Sequence, residues 1–177
     1  MIFVTVGTDQ PFDRLVRSLD EWAEKNGRTD VFAQIGETKF VPRHLKSVHF
    51  LEAPEYQQHF ANASVVISHA GMGTILTALR HKKPILVMPR RASLGEHRNE
   101  HQLATATHLL ELGKISVAFD ETELFARLAN LEAMGARDAI GPYASPQLIT
   151  ALRQFIHEGH IPAQPTNATN GHLREHS

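Results

Sequence analysis

Hydrophobic and polar positions alternate between two periodicities along the chain. Short runs of consecutive apolar residues, rich in β-branched side chains, predict strands at residues 2–6, 31–35, 48–51, 64–68, 84–88 and 115–119. Between these runs apolar residues recur every three or four positions, which predicts helices at residues 11–26, 55–62, 72–81, 96–112, 121–133 and 146–157. Gly27 stands where a glycine often ends a helix, and Asp120 followed by Glu123 is typical of a capped helix start.

The order of these elements predicts an α/β fold: a single Rossmann-like domain with an open parallel sheet. The strands are apolar almost throughout, which is typical of a parallel sheet that is covered by helices on both faces. Regular alternation of strand and helix indicates the same doubly wound arrangement. We expect residues 1–158 to form this domain. Residues 159–177 have almost no apolar content, which predicts a disordered tail.

Composition and charge exclude several classes of protein. The chain has 177 residues, 42% of them hydrophobic and 21% charged, which is typical of one soluble globular domain. Its 18 basic and 19 acidic residues give a net charge of -1, unlike a protein that coats nucleic acid. The absence of cysteine excludes disulfides, thiolate catalysis and cysteine-bound zinc. No apolar run approaches the ~18–20 residues of a membrane span, and no signal peptide is recognisable, so a cytoplasmic location is expected.

Two loops carry the candidate chemistry, because ligands of such sheets bind beyond the carboxyl ends of the strands. Residues 7–11 follow the first predicted strand, and residues 68–74 lead from the fourth strand directly into a helix. Gly71 and Gly73 would let a ligand approach the backbone, and the free N–H groups of the first helical turn favour an anion. A tight turn without a ligand would explain both glycines equally well. The spacing fits neither a dinucleotide fingerprint nor a P-loop, so dinucleotide binding and ATP hydrolysis lose support.

Several motifs together resemble a known family. Ser-His-Ala-Gly-Met-Gly-Thr-Ile-Leu at 68–76, Lys-Pro-Ile-Leu-Val-Met-Pro at 83–89 and Glu-His-Gln-Leu-Ala at 100–104 occur in order, after Phe-Val-Thr-Val-Gly-Thr at 3–8. This pattern resembles the C-terminal, donor-binding domain of family-28 glycosyltransferases, which is half of the GT-B architecture. The resemblance covers residues 1–157. It extends to the stand-alone subunits of this family that act in N-glycan assembly and in bacterial exopolysaccharide synthesis.

The resemblance implies a UDP-sugar-dependent hexosyltransferase and assigns roles to residues. The donor diphosphate would be bound by Gly7, Thr8, His69, Gly71, Met72, Gly73 and Thr74. The main chain near Leu51 would read the uracil, Thr77 would lie at the ribose, and Glu100, His101 and Gln102 would hold the donor sugar. His69 is the candidate catalytic side chain on this domain, either in contact with substrate or through a hydrogen bond that shapes its loop. Family members use amides and side chains in place of a divalent cation, so neither a metal nor another cofactor is expected.

Thr77 departs from the family pattern. Many relatives carry a glutamate at this position, which is thought to hold the ribose hydroxyls, whereas threonine is short and neutral. Two outcomes are compatible with this change. Either Glu96 or Glu100 contacts the ribose instead, or the nucleotide binds more weakly.

The loop after the fifth predicted strand is unusually rich in charge. Arg90, Arg91 and Arg98 could bind a carboxylate or phosphate in the bidentate geometry that guanidinium groups favour. One hypothesis is that they select an acidic donor sugar such as glucuronate, or touch the pyrophosphate of a lipid-linked acceptor. The alternative is a solvated loop with local ion pairs to Glu96 and Glu100.

The 12 histidines raise the question of a metal site. His97 and His101 have a spacing that zinc sites use, but the sequence offers no evident third ligand and lacks the His-Glu-x-x-His motif. No metal site is therefore predicted.

A complete enzyme of GT-B architecture has two domains, with the acceptor site and usually the general base on the other one. The resemblance therefore implies a membrane-anchored partner subunit that recruits this chain to a lipid-linked saccharide acceptor at the inner face of the membrane. The predicted helix at 146–157 is the candidate docking surface, and packing against its own sheet is the alternative. Two other functions stay open: a non-catalytic nucleotide-sugar-binding accessory subunit, and a nucleotide-sugar epimerase, for which the chain has about half the expected size.

Overall fold

The computed structural model describes residues 1–131 of the chain. Its strands are β1 (Ile2–Thr5), β2 (Val31–Gln34), β3 (Lys46–Val48), β4 (Val65–His69), β5 (Ile85–Met88) and β6 (Ser116–Val117). Its helices are α1 (Asp13–Lys25), α2 (Ala53–Asn62), α3 (Met72–Arg80), α4 (His101–Glu111) and α5 (Glu121–Ala129), with a 3₁₀ turn at Ala92–Leu94. The predicted helix at 146–157, the domain boundary at 158 and the tail at 159–177 lie outside the described residues.

The six strands form one parallel sheet in the order β3-β2-β1-β4-β5-β6. This result confirms the predicted α/β fold with an open parallel sheet. The chain winds outward from β1 to β3 on one side, and then returns to place β4 on the other side of β1. The direction of winding therefore reverses between β1 and β4, and a reversal of this kind opens a crevice at the carboxyl ends of the two strands.

Apolar side chains fill both faces of the sheet. On one face, residues of α1 and α5, including Leu19 and Leu124, pack against alternate strand positions such as Val4. On the opposite face, residues of α2, α3 and α4 pack against the intervening positions, among them Phe3. Because both faces are covered, every residue of β1 and β5 is buried, as the continuous apolar runs predicted. The sheet is thereby a rigid support for the loops at its carboxyl edge.

Both predicted helix-end signals are confirmed. Gly27 adopts a left-handed φ of 60° just after α1, and its N–H bonds to the carbonyl of Glu24. At the start of α5, the side chain of Asp120 accepts the N–H of Glu123 at 2.8 Å. The carboxylate of Glu123 in turn accepts the N–H of Phe119 at 3.0 Å. These bonds satisfy backbone groups that the helix itself leaves unpaired.

The largest differences from the predicted boundaries are at β3, at the start of α4 and at the end of α5, which is Ala129 instead of residue 133. The strand expected at 48–51 is β3 at Lys46–Val48, because its pairing with β2 ends where the N–H of Gly36 bonds to the carbonyl of His49. The helix expected from residue 96 begins at His101. Gly95, with a φ of 70°, closes the 3₁₀ turn instead of continuing a helix. Among the described residues, no helix has both the length and the hydrophobicity needed to cross a membrane.

Candidate functional site

The loops that follow β1 and β4 meet at the point where the winding of the sheet reverses. Thr5 and Ser68 are paired in the parallel register at the ends of these strands. Just beyond them, the imidazole of His69 packs against two glycines. A Cβ at Gly7 would lie 2.7 Å from its Cε1 atom, and a Cβ at Gly71 would lie 2.2 Å from its Nε2 atom. Both glycines therefore make room for this ring, and Gly7 additionally adopts a φ of 77°.

The N-terminus of α3 is open toward the same crevice. Gly71 is its N-cap residue, and no side chain caps the first turn. An added Cβ at Gly73 would meet no atom within 4 Å, so packing within the described chain does not require a glycine there. The exposed N–H groups and the helix dipole make such an N-terminus favourable for an anion. The ring of His69 thus gives a steric reason for Gly71, whereas no contact among the described residues requires Gly73.

Thr74 and Met72 flank this first turn. The hydroxyl of Thr74 lies 3.5 Å from the hydroxyl of Tyr56 on α2, and Met72 is 45% exposed. Burial raises the pKa of Tyr56, so its phenol is a neutral hydrogen-bonding group at physiological pH. The turn therefore offers hydroxyl groups next to its free backbone donors.

His69 has an unusual electrostatic environment. Burial, followed by the positive charge of Arg90, lowers its pKa to about 4. Its Nδ1 atom is buried, and the described part of the chain gives it no hydrogen-bond partner of normal geometry. The ring is therefore neutral at physiological pH and is a weak base. This environment suits a hydrogen-bonding group better than a general base.

In the charged loop after β5, Arg90 fits neither of the two sequence interpretations, which were contact with an anionic ligand and a solvated loop with local ion pairs. The side chain of Arg90 is only 1% exposed. Its Nη2 atom donates to the carbonyl of Val6 at 2.8 Å and also to the carbonyl of Gln10, and its guanidinium lies 5.1 Å from the ring centre of Phe12. Burial lowers its pKa to about 10, which still leaves it charged at neutral pH. Arg90 thus neither lies in a solvated loop nor is free to hold an acidic sugar.

Arg91 and Glu96 are also committed to contacts within the protein. Arg91 donates from Nη2 to the carbonyl of Phe119 at 2.7 Å. Glu96 binds the guanidinium of Arg14 through both carboxylate oxygens, at 2.7 and 2.8 Å, and accepts the N–H of Arg91 at 2.9 Å. The expected local pairing of Arg90 and Arg91 with acidic side chains is replaced by bonds to backbone carbonyls. Because both of its carboxylate oxygens are engaged in these bonds, Glu96 is not free to bind a ribose.

Arg98 and Glu100 remain on the surface. Arg98 is exposed, and it is the member of the arginine group that solvent reaches most freely. Glu100 is exposed at the start of α4, where its Oε1 atom accepts the N–H of Ser93 at 3.2 Å. Of the two acidic residues considered for the ribose, Glu100 therefore has the less engaged carboxylate.

The residues expected at the donor sugar separate into two environments. His101 is exposed, as is Thr8 in the loop after β1. Gln102 is buried, and its Oε1 atom accepts the N–H of Arg90 at 3.1 Å. This bond ties the start of α4 to the loop after β5, so Gln102 has a structural contact in addition to any role toward a ligand.

Thr77 lines a groove between α2 and α3, whereas Leu51 lies in the loop before α2. The hydroxyl of Thr77 donates to the carbonyl of Gly73 at 2.7 Å, so its proton is used within the helix. Leu51, in the loop between β3 and α2, packs partly buried against the core on this face. The groove has a volume of about 510 Å³ and is lined by Tyr56, Gln57, Phe60, Ala61, Thr77, Arg80 and His81.

Two further titratable side chains, which the sequence motifs do not include, act on His69. His97 acts electrostatically on the ring in the same direction as Arg90, and Asp9 acts in the opposite direction. The position of Asp9 in the loop after β1 could have indicated its proximity, whereas His97 comes from a segment distant in sequence. Within residues 1–131, no three His, Asp or Glu side chains are arranged to hold a metal ion.

The fold and the site together indicate a class of protein. A doubly wound parallel sheet of this strand order, with an uncapped helix N-terminus at its reversal point, is typical of nucleotide-binding α/β domains. The family described as the glycosyltransferase family 28 C-terminal domain matches residues 1–143. The chain belongs to this family, as the sequence motifs implied.

Individual relatives agree with this assignment. The UDP-N-acetylglucosamine transferase subunit ALG13 of Homo sapiens is 32% identical over 124 residues, which are 64% of this chain and 10% of the human protein. The solution structure of ALG13 has a TM-score of 0.55 at 21% identity, covering 85% of this chain and 93% of that one. MurG of Acinetobacter baumannii has a TM-score of 0.61 at 17% identity, covering 87% of this chain and 49% of that one. The two structures share the fold, and this chain matches about half of MurG.

Proposed function

We propose that this chain is the donor-binding, catalytic subunit of a UDP-sugar-dependent glycosyltransferase. The observation that carries the proposal is the open, uncapped N-terminus of α3, which faces the loop after β1 where the winding of the sheet reverses. A diphosphate would accept hydrogen bonds from the N–H groups of Met72, Gly73 and Thr74. Membership of the glycosyltransferase family 28 C-terminal domain supports a nucleotide-sugar as the ligand.

The same contacts would assist the chemical step. When the glycosidic bond of the donor breaks, negative charge develops on the departing UDP. Fixed backbone dipoles stabilise such charge without having to reorient, and losing one comparable donor costs about 3–4 kcal/mol in known enzymes. The neutral ring of His69 would add a hydrogen bond at the same place. These hydrogen bonds would stabilise the negative charge that a divalent cation stabilises in other enzymes. The proposal therefore includes neither a metal nor another cofactor.

The contacts with the other parts of the donor are assigned from the resemblance to the family. The backbone near Leu51 would read the uracil, and the ribose would lie near Thr77. The exposed residues Glu100 and His101 at the start of α4, with the amide of Gln102, would contact the sugar. These assignments follow the positions of the matching family motifs in this sequence.

The acceptor side of the reaction would be supplied by a second, membrane-anchored subunit. The name of the human relative describes it as a subunit, which supports an assembly of this kind. The partner would bring a lipid-linked saccharide and the general base, and it would recruit this chain from the cytoplasm to the inner face of the membrane. The product would enter exopolysaccharide or glycan assembly.

A non-catalytic nucleotide-sugar-binding subunit is the second candidate, and Thr77 supports it. Its hydroxyl proton is bonded to the carbonyl of Gly73, which leaves only acceptor capacity toward a ribose. Binding without turnover, when the chain is co-expressed with its partner and supplied with acceptor, would favour this candidate. Sugar transfer to the lipid fraction, followed with a radiolabelled donor, would favour the catalytic subunit.

The first experiment is a calorimetric titration of the full chain with UDP, UDP-GlcNAc, UDP-glucose, UDP-galactose and UDP-glucuronate, with GDP as the control. Selective binding of uridine ligands supports the proposal. The matched variant is Gly73→Val, because a Cβ at this position has no atom from outside its own helical segment within 4 Å, and the added side chain would occupy the space of the diphosphate. We expect it to fold and to lose at least about tenfold in UDP affinity.

Ala126→Val is the control for this titration, since Ala126 is exposed on α5, which packs on the opposite face of the sheet. It should bind UDP as the wild-type chain does. Equal UDP affinity in Gly73→Val and Ala126→Val would contradict a diphosphate site at the N-terminus of α3.

A further inference from the structure

The loop after β1 is held at both ends by one buried side chain from the far side of the crevice. The Nη2 atom of Arg90 donates to the carbonyls of Val6 and Gln10, which bracket the exposed residues Thr8 and Asp9. The intervening Gly7 has left-handed backbone geometry, which by itself leaves a loop free to adopt other conformations. A single guanidinium nitrogen that joins two carbonyls therefore sets the separation of the two ends of the loop.

Arg90 is itself firmly positioned. Its guanidinium lies over the ring of Phe12, at 5.1 Å, and its backbone N–H bonds to the buried side chain of Gln102. A second guanidinium, that of Arg14, lies 5.3 Å from the same ring and donates to the carbonyl of Pro89 at 3.1 Å. The segment before and after Arg90 is thus fixed from the start of α1 and the start of α4. The side chain has little freedom to follow a loop that moves.

The charge of Arg90 is not neutralised by a direct ion pair. Among the described residues, no carboxylate lies within salt-bridge distance of its guanidinium, and its buried Nε atom has no hydrogen-bond partner. Burying a cation in this way costs free energy that an apolar side chain of similar size would not require. Apolar packing therefore gives no reason for an arginine here, whereas the bonds to the carbonyls of Val6 and Gln10 do. A positive charge directly behind the loop gives a second reason if an anion binds in front of it.

We infer that Arg90 is a positioning residue, which holds the loop at residues 6–10 in the conformation that presents its backbone amides to the diphosphate of the donor. The inference rests on the proposed function, because it assumes that a diphosphate binds in this crevice. Arg90 would act by holding the carbonyls of Val6 and Gln10 on the protein side of the loop. It would make no contact with the sugar. Substitution should consequently affect ligands that carry the diphosphate and spare uridine.

The test compares the full-length wild-type chain with Arg90→Met and Arg90→Lys. Affinities for UDP and for uridine are measured by calorimetry, and hydrogen exchange is followed by mass spectrometry in peptides that contain residues 6–10. For Arg90→Met we expect UDP affinity to fall by about tenfold or more, uridine affinity to change by less than about twofold, and exchange to rise in the loop. Arg90→Lys keeps the charge but not the planar donor, so it should lie between wild type and Arg90→Met.

Asp20→Asn is the matched control, because Asp20 holds the backbone of residues 43–45 and not the loop after β1. It perturbs a buried charged contact of the same fold and should leave UDP affinity unchanged. If Arg90→Met does not fold, Arg90→Lys and its exchange pattern decide the question. A loss of UDP and uridine binding in equal measure would indicate general destabilisation and overturn the inference, as would unchanged exchange in residues 6–10.

The two proposals fail in different ways. If the wild-type chain binds no uridine ligand, the proposed function is contradicted, and the ligand part of this inference falls with it. If the wild-type chain binds UDP and Arg90→Met binds it equally well, the proposed function stands and the inference alone is overturned.

Discussion

At the scale of single residues, the position of one side chain explains why two other residues are glycines. His69 follows β4, and its ring occupies the space in which Gly7 and Gly71 would otherwise carry a Cβ. Gly71 has a φ of -85°, which any residue adopts, so its lack of a side chain is a matter of space and not of backbone geometry. Gly73, two residues further on, has no such neighbour. Only the first of these two glycines in the motif at 68–76 is therefore required by packing among the described residues.

A double-mutant cycle tests the coupling between Gly71 and His69. Gly71→Ala introduces a Cβ that would lie 2.2 Å from Nε2 of His69, and overpacking of this kind costs about 1–3 kcal/mol of unfolding free energy. In a His69→Ala background the clash is gone, so the same substitution should cost less than about 0.5 kcal/mol. Urea denaturation of the four proteins measures the coupling. Strictly additive effects would show that the ring of His69 is not the cause of any cost of Gly71→Ala.

The protonation of His69 provides a second prediction at this scale. Burial lowers its pKa to about 4, from 6.5 in the unfolded chain, so the unfolded state binds more protons between these two pH values. The free energy of unfolding should therefore fall as the pH decreases through this window, by about 2 kcal/mol at pH 5 relative to pH 7.5. The measurement is urea denaturation of wild type and His69→Gln at both pH values, in which the other histidines contribute equally. The same pH dependence in the two proteins would mean that His69 titrates normally.

At the scale of elements, local patterns predicted helices and strands wherever the structure uses local interactions. The helix ends at Gly27 and Asp120 depend on residues within one turn, and both were predicted. The start of α4 differs because Gly95 closes a 3₁₀ turn, and the segment before β3 is held by a side chain that is distant in sequence. Asp20 on α1 accepts the N–H groups of Arg43, His44 and Leu45 at 2.8–3.1 Å, and this contact precedes β3. Hydrophobic periodicity contains no information about such a bond.

The contact of Asp20 predicts a large effect of a single substitution. Asp20→Ala leaves three backbone N–H groups without their acceptor next to a buried side chain, and should lower the unfolding free energy by about 2–3 kcal/mol. Asp20→Asn retains one acceptor oxygen and should cost less. The comparison is made by urea denaturation at pH 7.5. Glu21→Ala, at an exposed neighbouring position, is the control and should change stability by less than about 0.5 kcal/mol. An equally small change in Asp20→Ala would show that water replaces the carboxylate without loss.

At the scale of the whole molecule, the fold class could be predicted because strand and helix alternate, but the site depends on the order of the strands. β1 and β4 are distant in sequence, and their adjacency brings Gly7 to the ring of His69. The sequence motifs pointed to the loops after the first and fourth predicted strands, and these loops follow the adjacent strands β1 and β4. The motifs could not indicate that Arg90 and Arg91 bond to the carbonyls of other loops, because those carbonyls are contributed by backbone of any sequence. The cluster of arginines in the sequence therefore suggested ligand contacts, whereas in the structure Arg90 and Arg91 bond to backbone carbonyls of other loops.

A ligand bound at this reversal point should stabilise segments that are far apart in the chain at the same time. If UDP contacts both loops, hydrogen exchange should slow in residues 6–10 and in residues 71–75, while residues 43–45, which Asp20 holds at a distance from the crevice, should be unaffected. Because only the folded state binds, the unfolding free energy should also rise, by about 2.7 kcal/mol at a UDP concentration one hundred times its Kd. Uridine, which lacks the diphosphate, should slow exchange in neither loop. Protection confined to the helices around Tyr56 and Arg80 would instead locate nucleotide binding in the groove between α2 and α3, and would move the diphosphate away from the N-terminus of α3.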